Sequence, residues 1–71
     1  MTAYVSKDLV LNNITTVVEF RVFVESVPYK RLCVMSYSEI GKRIIGLMAN
    51  QVGFEIVRQS TGEVLAYCYW H

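Results

Sequence analysis

The chain has 71 residues and a formal net charge of +1, from seven Lys and Arg against six Asp and Glu. That length supports one domain, and so even a balance excludes a dominant basic field or an acidic tail. Hydrophobic residues make up 54% with a mean hydropathy of +0.33, a surplus for a domain that covers only about 60% of its unfolded surface, so part of it is expected to lie against another chain.

In chain order, Ala3 to Leu11 is strand-like. Ile14 to Glu25 alternates Ile14, Thr16, Val18, Phe20, Val22 and Val24 with Thr15, Val17, Glu19, Arg21, Phe23 and Glu25, which predicts a strand with one buried face. The Asn12-Asn13 pair between the two suits a two-residue hairpin turn. In that register Leu11 faces Ile14, Leu9 faces Thr16, Val5 faces Phe20 and Ala3 faces Val22, with Lys7 opposite Val18 as the misfit. The other side then sets Tyr4 against Arg21, Ser6 against Glu19 and Asp8 against Val17.

Tyr29 to Met35, after Pro28, reads as a third short strand. Ser36-Tyr37-Ser38-Glu39 has the form of a capping box and predicts a helix from Tyr37 to Gln51. Its stripe is Tyr37, Ile40, Ile44, Leu47 and Met48, and Gly53 is expected to provide the left-handed stop. Gly41 and Gly46 each cost about 1 kcal/mol against alanine and suggest close packing of the helix on the sheet or on a partner. Phe54 to Gln59 and Glu63 to Trp70 complete a second hairpin through Ser60-Thr61-Gly62. The expected fold is α+β: an antiparallel sheet of four to five strands in the order β-β-β-α-β-β, with one helix packed on one face. Closure into a small barrel is the alternative.

Met1 opens what reads as a short complete frame with no signal-peptide pattern, so a reducing, cytoplasmic setting is expected. No apolar run approaches the roughly 20 residues that span a bilayer. Cys33 and Cys68 lie in apolar strand segments, where a thiol behaves as a small hydrophobe. No metal or cofactor is expected, because two isolated cysteines and His71 do not make a zinc site and the glycines match neither phosphate-binding spacing. His71 is a poor general base at a chain end, and the carboxylates are scattered. A small Arg/Lys/Tyr ribonuclease is permitted by this composition without being indicated by it.

These features point to a non-catalytic binding module. Leu65, Tyr67 and Tyr69 are expected on one side of the last strand, with Val64, Ala66, Cys68 and Trp70 on the other. Together with Phe23 and Tyr4 the first set forms the expected partner surface, for self-association as a homodimer or for a larger host protein inhibited by a phage or mobile-element product. A loop or the chain terminus folded over these aromatics, making a two-sided core, is the competing arrangement. The alternative function is nucleic-acid binding, with Lys30, Arg31, Lys42 and Arg43 on phosphates and tyrosines as stacking planes.

Overall fold

A computed structural model describes residues 1–11, 14–24 and 27–70. The elements are β1 (Thr2–Val5), α1 (Asp8–Leu11), β2 (Thr15–Val24), β3 (Val27–Ser36), α2 (Tyr37–Ala49), β4 (Gly53–Arg58) and β5 (Val64–Tyr69). Every strand pairing is antiparallel, and the order across the sheet is β1-β5-β4-β2-β3. This is the expected α+β arrangement, with the single turn of α1 added between β1 and β2.

Period-two alternation builds the core. Val18 and Phe20 of β2, Phe54 and Ile56 of β4 and Ala66 and Cys68 of β5 project to one side of the sheet and are buried. Tyr37, Ile40 and Ile44 of α2 close over them, and Leu9 of α1 joins the same cluster. Each of the larger aliphatic and phenylalanine side chains, fully buried, contributes about 1.5–3 kcal/mol, and Ala66 less.

Ser36 caps the helix as the sequence requires, while Glu39 closes back on the serine hydroxyl and not on its backbone amide. The Ser36 hydroxyl accepts from the Glu39 amide at 3.2 Å and donates to the Glu39 carboxylate at 3.0 Å, which fixes the start of α2. A salt-bridged lock joins the helix start to the far hairpin. Arg58 donates to the buried Tyr37 hydroxyl and, at 3.0 Å, to Glu63. The Tyr37 hydrogen bond is the main reason the Arg58 guanidinium is held above its ordinary pKa. Gly62, at φ 74°, takes the positive-φ position of the β4–β5 loop.

Four expectations are corrected. First, the strand Ala3 to Leu11 does not exist as one element, and β1 pairs with β5, not β2, so Tyr4 lies opposite Tyr67 and Val5 opposite Ala66. The chain leaves the sheet at Ser6, whose carbonyl accepts from Leu9 N at 3.2 Å and whose hydroxyl accepts from Asp8 N at 3.2 Å, and coils into α1. The proposed turn at Asn12-Asn13 falls outside the described residues. Second, Leu65 is not on the side of Tyr67 and Tyr69. Ile56 pairs with Ala66 but Val57 pairs with Val64, so Leu65 is the extra residue of a bulge and is buried in the core.

Third, the helix ends before Gly53. Asn50 caps it through a side-chain bond to the Gly46 carbonyl at 2.8 Å, Gln51 takes the left-handed conformation at φ 55°, and Gly53 begins β4. Fourth, Gly41 and Gly46 do not mark close packing within the chain, because a Cβ on either would meet nothing within 4 Å.

Candidate functional site: the helix-free face of the sheet

With α1 and α2 on one side, the opposite side of the sheet is covered by no helix among the described residues. Alternation dictates what it shows. Tyr4 of β1, Tyr67 and Tyr69 of β5, Glu55 of β4 and Glu19, Arg21 and Phe23 of β2 all point there, as the cross-strand partners of Tyr4–Tyr67, Tyr67–Glu55 and Glu55–Arg21 require. Four rings form one row. Tyr4 stacks on Tyr67 with centroids 5.7 Å apart, Tyr67 on Tyr69 at 5.1 Å, and Phe23 tilts against Tyr69 at 6.1 Å. Tyr4 is 45% exposed and the other three are half-buried.

A polar chain anchors this row. The Tyr69 hydroxyl donates to Glu55, and Arg21 bridges Glu55 at 3.4 Å and Glu19 at 2.9 Å. Arg21 also lies directly opposite Lys30 on β3, a like-charge pair that on its own would destabilise the sheet. The two glutamates offset it. Donation by Arg21 holds the Glu19 carboxyl below its usual range, with Lys30 adding to the effect, and the same bond raises Arg21. The bond to Glu55, followed by desolvation and the nearby carboxylate charge, pushes the Tyr69 phenol up to about 12. Tyr69 is thus held as a neutral hydrogen-bond donor, and its ring is fixed by contacts on both sides.

Four of the five expected partner-binding residues, Tyr4, Phe23, Tyr67 and Tyr69, therefore meet on one surface. Leu65 is absent from it. The competing arrangement, a two-sided core, would bury these rings, but none of the four is among the buried residues. The alternation of β2 puts Glu19 and Arg21 on one face, but their joining with Glu55 depends on the β2–β4 register, which no local spacing announces.

Lys30 and Arg31 both line a cleft with Glu19, Leu32 and Gln59, and Arg31 also lines, with Arg43, a crevice of about 90 Å³ on the helix side beside Tyr29, Phe20, Cys33 and Leu47. The Arg43 guanidinium lies 5.9 Å from the Phe20 ring centroid. Lys42 lines the adjacent groove between α2 and Met35. Cys68 is buried and Cys33 is half-buried, and both thiols are free. Among the described residues no group of three His, Cys, Asp or Glu side chains could hold a metal, and no helix is long and apolar enough to cross a membrane. His71 lies outside the described residues.

Comparison with protein-family models, with curated proteins and with solved structures finds no match to this chain.

Proposed function

We propose that this chain is a non-catalytic protein-binding module that docks through the helix-free face of its sheet. The observation that supports this reading most is the continuous row Tyr4–Tyr67–Tyr69–Phe23. Rings held by stacking lose little conformational freedom on binding, and aromatic side chains supply much of the energy of protein interfaces. The partner chemistry that fits is a protein surface with a shallow apolar strip, bordered by polar groups that meet the Glu55–Arg21–Glu19 chain. An inhibitor of the kind a phage or mobile element encodes, docking on a larger cytoplasmic protein, is the form of this reading that the small, apolar chain suits.

A second reading, nucleic-acid binding, draws on the convergence of Arg31 and Arg43 beside Tyr29, with Lys30 sharing a second cleft with Arg31. The two are separated by affinity capture with and without nuclease, using Tyr67→Ala/Tyr69→Ala and Arg31→Ala/Arg43→Ala variants of verified fold. A stoichiometric protein partner that resists nuclease, lost with the tyrosines and kept without the arginines, supports docking. Recovery that nuclease or salt abolishes, and that follows the arginines, selects nucleic acid.

A further inference from the structure

The two edges of the sheet are unequal. β1 is a strand of four residues, but β3 has ten and forms the other edge. An edge strand presents a row of backbone donors and acceptors that a further strand can pair with, and folded proteins usually blunt it with prolines, charges or bulges. On β3 these devices are confined to its first half, at Pro28, Lys30 and Arg31. The second half, Leu32-Cys33-Val34-Met35, carries none. Leu32 is 61% and Val34 70% exposed, both on the helix-free side, and Val17 on β2 beside Val34 is exposed too. At about 3.3 Å per residue β3 is roughly 33 Å long, which matches the 31 Å long dimension of the whole molecule.

We propose that β3 pairs antiparallel with β3 of a second copy of this chain, joining two five-stranded sheets edge to edge about a two-fold axis through Cys33. Strand geometry restricts the register. Outward-facing backbone groups recur at every second residue, and facing side chains must lie on the same side of the sheet, so the axis has to pass through a residue and not between two. An axis through Arg31 sets two guanidinium groups against each other. One through Leu32 places Lys30 opposite the exposed Val34, and one through Val34 carries Arg31 past the strand end. An axis through Cys33 pairs Leu32 with the partner copy's Val34 and Val34 with its Leu32, and sets Lys30 against Ser36 and Arg31 against Met35. It also brings the basic end of each strand toward the end that carries Glu39.

The occupant is a second copy and not an unrelated strand because this register is self-complementary: each exposed apolar residue finds the other, and no like charges meet. In the joined sheet Val17, Leu32 and Val34 of both copies form one apolar strip across the seam. Tyr4, Tyr67 and Tyr69 lie on β1 and β5, the strands farthest from the seam, and only Phe23 on β2 stands next to β3, opposite Pro28 and away from Cys33, so this pairing leaves the tyrosines of each copy open and does not depend on them.

Light scattering across a concentration series, with the 8.2 kDa chain mass as reference, provides the test. A mass of twice that value is expected for the unmodified protein. Leu32→Lys/Val34→Lys places like charges opposite each other and weakens the dimer about tenfold or more, whereas Leu32→Lys/Val34→Glu faces opposite charges and restores it. Ile45→Lys, at a site 70% exposed on α2 that lines neither groove beside β3, leaves it intact. A short thiol-specific cross-linker joins the two copies through Cys33, with the buried Cys68 unreactive. A single-chain mass at every concentration overturns the proposal, and so does a dimer indifferent to both β3 double variants. A dimer that Ile45→Lys abolishes places the seam on the helix, and one that Cys33 does not cross-link excludes this register. Circular dichroism of each variant separates dissociation from unfolding.

Discussion

Along β4 and β5, side chains that are sequence neighbours belong to two different environments. Phe54, Ile56, Ala66 and Cys68 lie under the helix layer and are buried, while Glu55, Tyr67 and Tyr69 lie between and beside them on the open side and keep contact with water. The covered side is aliphatic apart from single aromatics and is held by close packing. The open side is aromatic and charged apart from the buried Val57, and its polar and aromatic members hold one another through stacking and through the Tyr69–Glu55–Arg21–Glu19 chain. The contrast shows how a short chain can separate two tasks by residue parity: one set of positions drives folding, and the set interleaved with it is left free to carry recognition.

That division is open to direct test. Phe54→Ala empties a position that is 1% exposed, and should cost about 3–5 kcal/mol in chemical denaturation, enough to unfold much of a small domain. Tyr67→Ala should cost less than half as much. An equal loss would make the open side part of the core and break the comparison. Gly46→Ala sharpens it from the covering layer: with open space at the missing Cβ, the helix should gain about 1 kcal/mol. A loss there would mean that something packs against the helix glycine in solution.

The smallest effect is in pH dependence. Because the folded protein raises the Tyr69 phenol from 10.0 to about 12, it favours the protonated form. The associated stability is complete below pH 10 and is lost as the pH rises through about 12. Tyrosinate absorbance should therefore show a late component, absent in Tyr69→Phe.

Local chemistry was legible where the structure is local. The alternation at the centre of β2, the Ser36 cap and the loop at Gly62 each depend on residues a few positions apart and each forms, although Ile14, expected on the buried face, precedes the strand and is 52% exposed. The first strand was misread because alternation reports which side of a strand is apolar and not which strand it joins. Ala3 and Val5 suit β5 as well as they suit β2. A signal for the break was present: Ser6 followed by Asp8 in a first helical turn is a helix start, and it was overridden by a hairpin pattern that fitted equally well. Leu65 failed for a related reason, since a bulge shifts phase by one residue and strict alternation cannot register it. Four members of the aromatic surface survived both errors, because Tyr67 and Tyr69 keep their phase beyond the bulge and Tyr4 reaches the same side by way of a different neighbour.

The pairing of β1 with β5 also governs the order in which the sheet can be built. The hairpins β2–β3 and β4–β5 close over short stretches of chain, but β1 has to wait for a partner that lies beyond every other element, and closing so long a loop is slow. Until then its backbone groups are satisfied only by water. A slow final phase in refolding, sensitive to changes in Thr2–Val5 and indifferent to changes in β3, is the kinetic signature of a sheet whose first strand is the last to arrive.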